Sequence, residues 1–221
     1  MLRNTDAIST RQALIVGQIT DGLTGRPPIT TPAVMLTYQS EPARAYPLVS
    51  TIQPNGVFSF NGDSGRAFVP LSGGATLDLR LTASAASYEA AVFDFSLSES
   101  DLALTPQERL IAGQTVTIPL YDAPLINQGL ALTPEPVHLS GQVVAIDDDA
   151  PIAGAEVEIT APESRPAVTA DDDGFFTIQN LPVALEITVR VTHPDFETLE
   201  TAVPLVYSQP VNQQKFALTS D

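Results

Sequence analysis

The sequence predicts an all-β protein made of two tandem seven-stranded antiparallel β-sandwiches. Three observations predict it: an internal repeat, a period of two in the apolar residues, and the placement of proline. Ile15-Val-Gly-Gln-Ile19 matches Leu139-Ser-Gly-Gln-Val143, and Pro54-Asn-Gly-Val-Phe-Ser-Phe60 matches Asp172-Asp-Gly-Phe-Phe-Thr-Ile178. Leu79-Arg-Leu-Thr82 matches Val189-Arg-Val-Thr192, followed by Tyr88-Glu89 in one half and Phe196-Glu197 in the other. The three blocks keep their order, which marks two copies of one module. Within them Leu77, Leu79, Leu81 and Ala83 share one face, with Asp78, Arg80 and Thr82 on the other. Ile187, Val189 and Val191 likewise oppose Thr188, Arg190 and Thr192. That alternation belongs to strands with one face on a core and one in water. The 19 prolines fall between apolar runs rather than in one tract, as short strands and turns require.

Taken in order, residues 1–12 read as a polar N-terminal arm that needs a partner to become ordered. The first sandwich, 13–120, has strands near 13–20, 32–38, 48–52, 57–61, 75–83, 88–97 and 114–120. The insertion Glu99–Leu110 reads as one short helix. Residues 121–136, with three prolines, form a partly extended linker. The second sandwich, 137–221, has strands near 137–145, 154–160, 166–170, 174–178, 185–192, 196–203 and 211–219. Burying one Leu or Val in such a core contributes about 1.5–3 kcal/mol. A slip of one residue would turn that face to water, so register should be well defined.

Charge excludes some classes. The chain carries a net −16, with nine arginines and one lysine, Lys215. A phosphate backbone needs cations to neutralise it, so a nucleic-acid partner is not expected. An anionic membrane surface would repel the chain, and no segment approaches the roughly 20 apolar residues of a span, so direct membrane insertion is not expected either. The acidity is uneven: residues 1–133 carry 11 acids and 7 bases, residues 134–221 carry 15 and 3. There is no cysteine, so thiolate metal sites and disulfides are out. The first 20 residues hold no uninterrupted apolar h-region. The expectation is a soluble protein made in the cytoplasm without a signal peptide, either free or part of an exported or assembled particle.

Gly141, the run Pro151-Ile-Ala-Gly-Ala155 leading to Val157, Thr169 with Asp171, Gly174 and Phe176, then Leu181-Pro182 and His193-Pro194, form a recognisable series. In these residues the second half resembles the carboxypeptidase regulatory-like domain, a transthyretin-like (prealbumin-like) β-sandwich. The first half fits more loosely, keeping Gly17, Gly56 and Phe58. The resemblance implies a structural or binding accessory domain without catalytic residues of its own. Related sandwiches that do catalyse, ureide hydrolases and intradiol dioxygenases, use several histidines. This chain has only His138 and His193, in different strands, and His138 falls out of phase with the core and reads as a solvated strand residue. There is no Gly-x-Ser-x-Gly elbow either, so no enzyme is expected. Similar surface sandwiches form isopeptide crosslinks through a lysine in the first strand, whereas Lys215 lies in the last, so no crosslink is expected.

The stretch Thr169-Ala-Asp-Asp-Asp-Gly-Phe-Phe-Thr-Ile178 poses a choice between metal loop, acidic tip and hairpin turn. Glycine and the residue before it suit a turn, which leaves Asp171 and Asp172 unexplained. If strands alternate up and down, the loops holding Asp147-Asp148-Asp149, Asp171-Asp172-Asp173 and His193-Pro-Asp195 meet at one end. Calcium takes six to eight oxygens from several segments. Asp147, Asp149, Asp171, Asp173 and Asp195 are therefore the candidate calcium ligands, or an acidic docking pole for a basic partner, with a merely solvated tip as the alternative. No other cofactor is expected.

The functional reading is a non-enzymatic structural or interaction protein. Its two sandwiches act as spacer, decoration or adaptor in a larger assembly, such as a phage-tail-like or contractile injection particle or a cell-surface complex. Other protein subunits would be met through the N-terminal arm and the acidic pole. The alternative is a carbohydrate- or calcium-dependent adhesive module. Against it, Trp is absent and Phe58, Phe60, Phe93, Phe95 and Phe176 fall on expected core faces, leaving Tyr38, Tyr46, Tyr121 and Tyr207 as platforms.

Overall fold

A computed structural model describes residues 11–63, 66–111 and 113–221. No described residue is helical. The chain divides into two compact units, the break falling between Thr133 and Pro134. Most of the expected N-terminal arm lies outside the described residues. Its last two, Arg11 and Gln12, already belong to the first strand.

The second unit has seven strands where the alternation puts them: β12 His138–Ala145, β13 Glu156–Ala161, β14 Val168–Thr169, β15 Phe175–Ile178, β16 Glu186–His193, β17 Phe196–Pro204 and β18 Val211–Leu218. They form two sheets, β15-β12-β18 and β14-β13-β16-β17. Their inner faces close over Leu139, Val143, Val157, Val189, Val191 and Phe216, all at most 2% exposed. Phe176 and Phe216 stack at 5.6 Å between ring centroids.

The first unit has eleven strands among its described residues rather than seven. They are β1 Arg11–Asp21, β2 Ala33–Tyr38, β3 Val49–Ile52, β4 Val57–Asp63, β5 Leu77–Ser84, β6 Tyr88–Glu89, β7 Ala91–Leu97, β8 Leu104–Ile111, β9 Gln114–Tyr121, β10 Ile126–Asn127 and β11 Leu130–Pro134. One sheet runs β3-β4-β1-β11-β6 with β10 also on β1, and a second runs β2-β5-β7. β8 and β9 form a sheet of their own.

Three expectations are corrected here. The helix over Glu99–Leu110 is absent. Ser98 and Asp101 close a turn through side-chain hydrogen bonds, and Thr105-Pro106 then favours extended chain. The strand at 114–120 does not close the sandwich but pairs with β8. The closing strand lies inside the expected linker: Leu130 and Leu132 are buried on either side of exposed Ala131, and β10 and β11 lie alongside β1.

The pairing also departs from purely antiparallel in one place per unit. β12 pairs with β18 in parallel over eight residues, and β1 pairs with β10 and β11 in parallel. Alternation encodes which face is buried, not strand direction. In both copies the parallel neighbour passes over a glycine. Gln128 lies beside Gly17 as Gln214 lies beside Gly141.

Candidate functional site

The acidic loops follow from the strands that end at them. After β12 the chain turns at Asp149, whose φ is +59° and whose N–H donates to the Ala145 carbonyl at 3.1 Å. Asp148 Oδ1 accepts the Ala150 N–H at 3.0 Å. Asp149 Oδ1 lies 2.7 Å from Lys215 Nζ. Between β14 and β15, Asp171 closes a tight turn: its carbonyl accepts the Gly174 N–H and its own N–H donates to the Phe175 carbonyl, both at 2.9 Å. Asp171 Oδ1 accepts the N–H groups of Asp173 at 3.1 Å and Phe175 at 2.8 Å. Its carboxylate is thereby explained as the cap of the turn, which the sequence reading left open. After β16, His193 Nδ1 accepts the Asp195 N–H at 3.2 Å.

Hydrogen bonds, three between backbones and one from a side chain, tie these loops to one end of the unit. Val143 N–H donates to Gly174 O, and Gln142 Nε2 to Asp173 O. Ile146 N–H donates to Leu218 O, and Asp221 N–H to Asp195 O. Sharing an end does not bring the side chains into a cage. Among the described residues, no three Asp, Glu, His or Cys side chains assemble into a group that could hold a metal ion. Asp147, Asp149, Asp171, Asp173 and Asp195, the expected calcium ligands, form no such group among the described residues. Asp149 faces a lysine, Asp171 faces its own backbone, and the Asp195 side chain is 84% exposed.

His138 is half-buried, and its Nδ1 accepts the Asn180 N–H at 3.0 Å, so it is a bonded strand residue rather than a freely solvated one. The expected tyrosine platforms are turned inward or tied down. Tyr46 and Tyr121 are 5% and 4% exposed. Burial, with Tyr38 and Tyr121 alongside, pushes the Tyr46 hydroxyl up to about 12. Tyr207 Oη donates to the Ala184 carbonyl at 2.9 Å, and the Arg44 guanidinium covers the Tyr38 ring. Of the five phenylalanines expected in the core, Phe58, Phe60, Phe95 and Phe176 are buried and Phe93 is half-buried.

The feature that sequence reasoning missed is the hairpin β8–β9, which has no counterpart in the second unit. Eight residues pair on each strand, a ribbon of about 27 Å at 3.4 Å per residue. The two strands pack chiefly on each other. At its root, Gln12 Nε2 donates to the Tyr121 carbonyl at 3.0 Å, and the Tyr121 N–H donates to Gln12 Oε1 at 3.1 Å. One face is open, with Leu104 at the root 39% and Leu110 toward the tip 75% exposed, while Val116 and Ile118 on the other face are half-buried. Residues 104–121 carry only Glu108 and Arg109 as charges, a net of zero in a chain of net −16. Pro106 stands directly opposite Pro119. Neither has an N–H, so this level cannot be a hydrogen-bonded pair, and each outer edge lacks a donor there. The signal in the sequence was Thr-Val-Thr-Ile at 115–118 opposite a run that had been read as a helix.

Comparison with known proteins places the second unit. The family model of the carboxypeptidase regulatory-like domain matches residues 138–219, so the second unit carries that domain. No curated protein matches the chain. Among solved structures, the Bacillus anthracis TIE protein is similar over 100% of this chain and 42% of its own, at 8% identity and TM-score 0.38. BcpA, the major pilin subunit of Bacillus cereus, is similar over 87% of this chain and 56% of its own, at 8% and 0.33. A streptococcal ancillary pilin is similar over 98% and 64%, at 13% and 0.33. The chain thus spans less than two thirds of each of these three. With TM-scores this low, none of the three likenesses carries an argument about this chain.

Proposed function

We propose that this protein is a non-enzymatic interaction subunit of a larger assembly, a phage-tail-like or contractile injection particle or a cell-surface complex, and that hairpin β8–β9 is its docking element. The hairpin is the observation that carries the reading. A two-stranded ribbon without a third strand is marginal in water, yet this one keeps Leu110 largely exposed. The opposed prolines spoil both edges for strand addition while leaving the face of Leu104 and Leu110 clear. A ribbon that is uncharged overall, on a strongly acidic chain, is also the surface on which a neighbour meets least repulsion. The N-terminal arm ahead of β1 and the acidic end of the second unit are the other contact surfaces of this reading.

The test is native size in lysate of the source organism, for the natural chain and for a variant with residues 105–119 replaced by a short Gly-Ser turn. Co-migration of the natural chain with a high-mass particle, lost in the variant while its thermal midpoint holds, is the expected result. Elution of both as a lone species of 23 kDa would sink the reading.

A further inference from the structure

The second unit holds a groove that the acidic loops do not explain. β15, β12 and β18 lie side by side, and their register sets two rows across the solvent face: Phe175, Gln142 and Lys215, then Thr177, Ser140 and Gln213. Phe175 is 53% exposed, whereas its neighbour Phe176 is 4% exposed in the core. Four of these side chains, those of Phe175, Gln142, Ser140 and Gln213, with Lys215 at one end, line a shallow cavity of about 420 Å³.

Its chemistry is unlike the rest of the unit. Of the 15 acidic residues in 134–221, none lines the groove. Lys215, its one charge, is matched by Asp149 at 2.7 Å. A phosphate or sulfate ligand would need unpaired cations. A wholly apolar ligand would strip water from the amides of Gln142 and Gln213 without replacing it. A neutral ligand with one apolar face and a polar rim satisfies both halves. The Gln142 amide is held in place by its Nε2 bond to the Asp173 carbonyl at 2.9 Å. Amide and hydroxyl side chains both donate and accept, as sugar hydroxyls do.

We propose that this groove binds a neutral carbohydrate chain, a pyranose ring stacking its C–H face on Phe175 while its hydroxyls pair with Gln142, Gln213 and Ser140. The aromatic ring supplies apolar area at little conformational cost, and the surrounding polar groups fix orientation. The site stands independently of the docking role of the hairpin, because it lies wholly within the second unit.

Saturation-transfer NMR and calorimetry with neutral hexaoses (cello-, malto-, xylo-, manno- and chitohexaose) test it on the full chain. Saturable binding of at least one is expected, weakened about tenfold or more by Phe175→Ala and largely kept by Phe175→Tyr. Leu185→Ala, at another exposed apolar position (59%), should leave it unchanged. No saturable binding to any of the five, or binding indifferent to Phe175→Ala, overturns the proposal. Carrying the same titration through on the hairpin-replaced variant separates this site from the docking reading.

Discussion

A Cβ placed on Gly141 would lie 1.8 Å from the carbonyl oxygen of Gln214, and one on Gly17 would lie 1.8 Å from that of Gln128. In both units the glycine sits where the neighbouring parallel backbone leaves no room for a side chain. The obstacle is backbone held in a ladder, so it cannot step aside as a side chain would. Gly141→Ala and Gly17→Ala are each expected to cost about 3 kcal/mol or more, at or above the upper end of ordinary overpacking. Gly129→Ala is the control: its nearest contact, the Gln18 carbonyl, is at 3.7 Å, and its expected change is within about 0.5 kcal/mol. Urea unfolding of the three variants measures it, and equal midpoints for Gly141→Ala and Gly129→Ala would refute the role assigned to the crossing.

The acidic triplet divides by what each carboxylate touches. Asp171 Oδ1 accepts two backbone N–H groups, from Asp173 and Phe175, and Asp172 is an exposed residue of the same turn. Removing the acceptor leaves two turn donors to water, so Asp171→Ala is expected to cost about 1–2 kcal/mol. Asp172→Ala should change stability by no more than about 0.5 kcal/mol. Thermal unfolding near neutral pH compares them. If both variants fall equally, the triplet acts as a charge cluster rather than through one capping residue.

What was legible in the sequence and what was not divides along physical lines. In the second unit period-two alternation is plain in β13, β15 and β16, each with a buried and a wet face, whereas two-residue β14 is too short to show it. In the first unit the same rule put the closing strand at 114–120, where β-branched residues alternate just as well. The true closing strand left a shorter trace: Gln128-Gly-Leu-Ala-Leu132 repeats Gln214-Lys-Phe-Ala-Leu218, a fourth block of the internal repeat. Its flanking prolines, Pro124, Pro134 and Pro136, lie at or beyond its ends rather than within it, so they mimic a linker without breaking the strand. The candidate site was less legible. Loop parity brings the aspartates to one end, but whether a carboxylate turns to a lysine, to its own backbone or to water depends on side-chain geometry that spacing does not encode. Phe175 shows the converse: next to Phe176 in a strand, one ring must face outward.

The opposed pair Pro106 and Pro119 makes an edge prediction. Each occupies an outward-facing level of the ladder, as the neighbouring outward N–H of Tyr121, which bonds Gln12, indicates. Replacing both by Val restores a donor to each edge on a residue that favours strands. The double variant is expected to self-associate with rising concentration, seen by sedimentation equilibrium, while far-ultraviolet dichroism stays that of the natural chain. A variant that sediments at the same mass as the natural chain at every concentration would show that the prolines do not guard these edges.

Asp21 gives the pH dependence. Its side chain is nearly buried at the end of β1, where Oδ2 accepts the Tyr88 hydroxyl at 2.7 Å and Oδ1 accepts the N–H groups of Leu23 and Thr24 at 2.8 and 2.9 Å. Burial pushes the carboxyl up, but the hydrogen bonds from Tyr88, Thr24 and Leu23 together outweigh it, so its pKa lies below the ordinary 3.8. A carboxylate whose folded pKa is depressed contributes stability that is present above the unfolded value and lost as pH falls through the folded one. Acidification below about pH 4 should therefore cost the natural chain more than Asp21→Asn, which carries no titrating group there. Tyr88→Phe removes one donor to a charged acceptor and should cost about 1.5–3 kcal/mol at neutral pH. It should also bring the Asp21 pKa back up, shrinking the acid-sensitive part of the curve. Urea midpoints from pH 6 down to pH 2.5 for the three proteins measure both effects. Parallel curves for the natural chain and Asp21→Asn across that range would mean that the buried carboxylate does not set the acid limit of the first unit.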